Sequence, residues 1–198
     1  GAASNGDTMT WQLNDIFHFS RLHIKQELNL EGRTYDYSTA YVTNAEGTDE
    51  DFVIAGKTFN MANLNARDFD AMFRSVLSCL EFGADSFKYK YLLNDGQEGE
   101  FDTPFTVEGN KVTLDMSAVN PACRKVDMYM FQDVDDSLLH IYMHTKSFIN
   151  YFANLNIIAW GIEGKLDPTD TAAVEKVFAD MESRIESINV SFIFKERW

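Results

Sequence analysis

The side chains best equipped for chemistry are four histidines (His18, His23, His140 and His144), two cysteines (Cys79 and Cys123) and 31 acids. His140 and His144 stand four residues apart, a spacing that clamps a metal ion when it falls on a helix. Here it falls on the alternating run Leu139, Ile141, Met143, which reads as a strand, where four residues span roughly 13 Å. That is too far to share one ion, and a third ligand is missing, so with Tyr142 the pair reads as a polar stripe facing solvent or a lumen. The cysteines lack C-x-x-C spacing and read as two isolated buried thiols. Acidic stretches at 46–51, 95–102 and 133–136 offer the oxygen ligands calcium takes, without the spacing of a binding loop, and read as charged turns.

The well-marked catalytic motifs are absent from the sequence. There is no G-x-S-x-G elbow, no S-x-x-K and no H-E-x-x-H. Gly161-Ile162-Glu163-Gly164-Lys165 is too short for a phosphate loop and lacks its Ser or Thr. A carboxylate pair suited to glycoside hydrolysis is not distinguishable among so many acids. These absences remove the well-marked classes of enzyme without excluding others; the protein is read as non-enzymatic, with no catalytic residue, cofactor or metal assigned.

Charge narrows the partners. Seventeen Lys and Arg against 31 Asp and Glu give a net charge of −14. The basic residues form no run longer than Arg124-Lys125, so neither nucleic acid nor an anionic membrane surface is an expected partner. No apolar stretch approaches the roughly 20 residues of a spanning helix. The 198 residues carry no repeat or linker. Residues 1–8, small and polar, read as a flexible leader or a remnant of expression, and residues 9–198 as a single domain.

The elements that must position any site are mostly strands. Residues 16–30 alternate with one slip near Ser20, turn at Glu31-Gly32, and return through Tyr35, Tyr37, Thr39, Tyr41 and Thr43, predicting a long hairpin. After an acidic loop and a short strand at 52–55, Asn65 caps a helix whose stripe runs Phe69, Met72, Phe73, Val76, Leu77, Leu80, with Gly83 as its stop. A meander follows: Phe87 to Leu93, Phe101 to Val107, the turn Gly109-Asn110, Val112 to Met116, Val126 to Met130, and Leu139 to Met143. Two helices, at Phe148–Ile158 and from Asp167-Pro168 to Ile185, precede a last strand from Ile188 to Phe194. This order predicts a mainly β protein with accessory helices (α+β), an antiparallel barrel or strongly curved meander sheet. The alternative is an open sheet with helices in its concavity.

Sixteen Phe, eight Tyr and eight Met mostly occupy inward positions. Phe105, Val107, Val112, Leu114, Met116, Met128, Met130, Ile141 and Met143 should line the barrel interior. A wall of Met and Phe either fills a barrel or surrounds an adaptable apolar pocket.

The strand ending Asn94-Asp95-Gly96, the unit Phe105 to Leu114, the strand-to-helix passage Leu139 to Phe152 and the closing strand Asn189 to Lys195 resemble, over somewhat more than half the chain, the lipocalin-like (calycin-like) secreted lipoproteins of the Bacteroides type. The resemblance implies a lipocalin-like barrel, export to the cell envelope (periplasm or outer-membrane surface) and a lipid anchor whose cysteine this sequence lacks. It also implies a small apolar or amphipathic ligand in the barrel. The tyrosine-rich N-terminal strands and the helix after Asn65 depart from that pattern. Beside ligand binding stand two other readings. One is a cell-surface interaction or adhesion module working through its acidic exterior and Tyr35, Tyr37 and Tyr41. The other is a hydrolase with unidentified carboxylates.

Overall fold

The computed structural model describes residues 27–54, 57–92, 97–133 and 137–198. Eight antiparallel strands close into a barrel, in the order β1 (Thr34–Gly47), β10 (Ile185–Glu196), β9 (Leu138–Met143), β8 (Val126–Gln132), β7 (Lys111–Leu114), β6 (Glu98–Glu108), β5 (Ser86–Leu92) and β4 (Cys79–Phe82). A separate hairpin joins β2 (Phe52–Ile54) to β3 (Lys57–Phe59). The helices among the described residues are α1 (Ala66–Val76), α2 (Thr145–Ile162) and α3 (Thr171–Arg184). Three residue pairs, Thr34–Asp36 against Glu81–Cys79, seal β1 to β4, so the sheet is closed and the open-sheet alternative falls.

The seam strand β4 occupies residues that the sequence places at the end of a helix. Asn65 does cap α1, its Oδ1 accepting from the Asp68 N–H at 2.8 Å, and Phe69, Met72, Phe73 and Val76 are buried. The helix stops at Val76, however, and Leu80 pairs with Tyr35 on one side and Tyr89 on the other. Leu80 satisfies both the helix's stripe and, with Phe82, a strand's alternation. Continuing the helix to Gly83 would strip β1 and β5 of their shared neighbour, and the ladder wins.

The first strand of the expected N-terminal hairpin falls mostly outside the described residues. Residues 16–26 lie outside the described residues, and residues 28–30 form no strand. Instead β1 takes β10 as its main partner. A bulge at Ser38 shifts its register, so Tyr35 and Tyr37 face inward against Phe82 and Phe194, while Tyr41 beyond it is half-buried. The three tyrosines are therefore not one exposed surface. Where β1 passes beyond β4, α1 covers it. Asp70 Oδ1 accepts from the Ala40 N–H at 3.0 Å and the Tyr37 hydroxyl at 2.9 Å, and Arg74 holds the other oxygen. Helix α3 begins later than Asp167-Pro168 suggests. Asp170 caps it through the Ala173 N–H, Asp167 turns onto Thr169, and Ile185 already belongs to β10.

The two ends of the barrel are closed differently. Helix α2 leaves β9 after Met143 and lies with α1 across one end. There the Phe73 ring sits 4.8 to 6.4 Å from the rings of Phe69, Phe148, Tyr151, Phe152 and Phe192. Phe59 of the β2–β3 hairpin extends that cluster onto Phe152. The other end is crossed by residues 28–33 on their way into β1. Buried Gln132 binds this segment, its Oε1 accepting from Asn29 N–H at 2.6 Å and its Nε2 donating to Asn29 C=O at 3.0 Å and to Tyr35 Oη at 2.8 Å. Gly32, at φ 79°, makes the turn and donates to Phe82 C=O, and Arg33 closes a 2.6 Å ion pair with Glu196.

Candidate functional site

Between the two ends lies a cavity of about 20 Å³, roughly the space of one water molecule. Leu114, Met128, Met130, Ile141 and Met143 line it, joined by Leu77, Leu80, Phe87, Tyr89, Tyr151 and Phe192. Five of the nine residues expected to line the interior thus converge on one point. Phe105, Val112 and Met116 are buried elsewhere: Phe105 packs on Phe82 and Phe87, and Met116 sits on a 3₁₀ turn (Met116–Ala118), where its Sδ accepts from Asn154 Nδ2. Val107 is 46% exposed, which corrects its assignment to the interior. It lies two residues from the Gly109 turn, where the β6–β7 hairpin runs past the barrel rim.

The polar feature at this cavity is a pair of tyrosines. Val76 C=O can only accept, so Tyr89 Oη donates to it at 3.1 Å, and Tyr151 donates in the 2.5 Å contact between the two hydroxyls. Burial pushes both phenols well above their ordinary pKa, so both keep their protons. The pair binds α2 to β5 and satisfies a carbonyl at the end of α1. The sequence marks Tyr89 as inward and Tyr151 as part of an apolar helix stripe, but only the fold shows that they meet. Leu77 and Leu80 fall on the helical stripe in the sequence, and only the end of α1 at Val76 brings them to the cavity.

Neither thiol is an activated nucleophile. Both cysteines are buried and free, and burial pushes Cys79 up to about 11 and Cys123 up to about 12. His140 lies on β9 pointing away from the lumen, yet is buried; His144 occupies the N-cap position of α2, with Nδ1 2.9 Å from Tyr142 Oη and 3.1 Å from Asn189 Oδ1. His18 and His23 lie outside the described residues. Among the described residues no three His, Cys, Asp or Glu converge as metal ligands. In the acidic turn after β1, the Asn60 amide donates to Asp49 at 3.0 Å and Asp51 at 2.8 Å, cross-linking two carboxylates from within the chain. Residues 95–96 and 134–136, from the other two acidic stretches, lie outside the described residues.

No family model, curated protein or solved structure matches the chain. Among the described residues no helix is long and apolar enough to cross a membrane.

Proposed function

We propose that this protein is a non-catalytic interaction module in which the barrel is a rigid scaffold and the acidic exterior meets the partner. One observation carries the reading: among the described residues, the space left at the centre of the barrel is small. The cavity of about 20 Å³ falls far below the roughly 300 Å³ at which pockets begin to hold small organic ligands. An excess of acid on a scaffold of this kind steers association with positively charged partners. Export to the cell envelope, implied by the lipocalin-like resemblance, belongs to the same proposal; a full-length gene lacking an apolar signal region before residue 9 would end that part.

A second reading, a lipocalin-like carrier of a small apolar ligand, draws support from the cavity lining. Met128, Met130 and Met143 are adaptable side chains, and the Tyr89–Tyr151 hydroxyls supply a polar anchor. Titration with an apolar fluorescent probe separates the two. The scaffold reading expects no saturable binding to the native protein. Saturable binding that Met128→Trp abolishes, with the fold intact, would overturn it in favour of the carrier.

A further inference from the structure

Strand β6 pairs with β5 and with β7 over successive parts of its length. Residues Glu98–Pro104 pair with β5, whereas β7 is opposite only Phe105–Glu108. The direction of the backbone groups follows from two bonds. Phe105 N–H donates to Asp85 C=O on the β5 side, and Asp115 N–H donates to Pro104 C=O on the β7 side. Since backbone groups alternate along a strand, those of Asp102, Glu100 and Glu98 point away from β5. Pro104, lacking an N–H, stands where the ladder to β7 stops. Three consecutive edge positions therefore present N–H and C=O groups to which no described strand is paired.

The side chains of those positions are all acidic and exposed, and none closes a salt bridge among the described residues. On β5 the register sets Lys88 opposite Asp102 and Lys90 opposite Glu100; Lys90 is engaged by Glu81 at 2.6 Å, and Lys88 closes no salt bridge with Asp102. The edge is also firmly backed. Phe101 stacks on Tyr89 with centroids 4.6 Å apart, and the Tyr91 ring lies over Gly99. The other open edge of the barrel, the upper part of β1, is covered by α1 and its Asp70. Charged side chains and a proline protect exposed edges from self-pairing, and they equally select what pairs there.

We infer that the Glu98–Asp102 edge of β6 receives an extended segment of a partner protein bearing Lys or Arg at alternate positions, added as a further strand. This rests on the scaffold reading and names its surface. The backbone row supplies affinity, and the acids, roughly 7 Å apart along one face, supply the charge match. The test uses the acetylated peptide Thr-Lys-Val-Lys-Thr-Lys and a scrambled peptide of equal charge. Binding of the first should slow hydrogen exchange of the Glu98, Glu100 and Asp102 amides. The intervening Gly99, Phe101 and Thr103 amides, already facing β5, should not change. Glu100→Pro removes an edge N–H without touching the β5 ladder, and should weaken binding roughly tenfold more than Glu100→Gln, which removes only the charge. Equal effects of the two substitutions, equal affinity for the scrambled peptide, or protection without alternation would overturn strand addition. Should Glu100→Pro unfold the protein, the exchange pattern alone decides. Protection arising with protein concentration and no peptide would make a second copy the occupant and overturn the basic partner. Failure here, with no probe binding inside the barrel, removes this edge and leaves the scaffold reading standing.

Discussion

The barrel is shut at one end by two helices packed ring on ring, and at the other by a short crossing segment that buries Leu30 and is otherwise held by hydrogen bonds. At the helical end, α1 and α2 bury Phe69, Phe73, Phe148, Tyr151 and Phe152 against Phe192. At the opposite end a few residues of extended chain are held by Gln132, Gly32 and the Arg33–Glu196 pair. Burial of large rings is worth several kcal/mol per residue, whereas a hydrogen bond contributes about 1 kcal/mol net. The difference teaches that the two closures belong to different levels of stability. Both ends join the core, but the crossing segment does so chiefly through Leu30, so the Gln132 end is expected to open at lower cost than the helical end.

Three substitutions test this contrast. Phe73→Ala removes a fully buried ring touching five others and should cost about 3–5 kcal/mol, read as a large fall in the denaturant midpoint. A loss below about 1 kcal/mol would mean that the aromatic cluster is not part of the core. Gln132→Leu leaves the Asn29 N–H and C=O and the Tyr35 hydroxyl without their partner, at about 1–3 kcal/mol. Its signature is local: exchange at Asn29 and Gly32 should accelerate far more than at Phe192. Uniform acceleration would show that the two ends open together.

The smallest effect concerns pH. Burial pushes the Asp70 carboxyl up, but the Arg74 guanidinium, the Tyr37 hydroxyl and the Ala40 N–H outweigh it and hold its pKa below the usual value. A carboxyl depressed in the folded state stabilises the fold above its unfolded pKa, near 3.9, and loses that contribution as pH falls through the folded value. Asp70→Asn should therefore flatten the stability–pH curve on its acid limb below about pH 4, with a loss at neutral pH of about 1 kcal/mol or less. An acid limb as steep as that of the unaltered protein would place the dependence elsewhere, with Asp36 as the first suspect. That carboxyl is held low by Arg197 near the other end.

Much of the barrel was legible in the sequence because its strands alternate cleanly and its turns carry Gly at positive φ, as at Gly109. Three things were not. The strand β4 is too short to outweigh the helical period running into it. The bulge at Ser38 left no trace, since Thr39 and Tyr41 continue the alternation of Tyr35 and Tyr37 without interruption. The partner of β1 lies at the far end of the chain, and nothing local to either strand names the other. For the site, alternation assigns Leu114, Met128, Met130, Ile141 and Met143 to inward faces, and the fold sets them around one small cavity. The volume left between them depends on how α2 seats Tyr151, which no periodicity encodes.

The pairing of β1 with β10 also sets an order of events. Asp36 and Arg197, which meet across that junction, are 161 residues apart along the chain. The meander from β4 to β9 is built of neighbours and can form as it is synthesised, but the side of β1 that takes β10 waits unpaired until β10 has left the ribosome. Such a protein assembles its wall first and closes last. Slow closure, and a need for protection of the waiting first strand during synthesis, are the kinetic cost of a cylinder whose opening and closing staves are the first and last to be made.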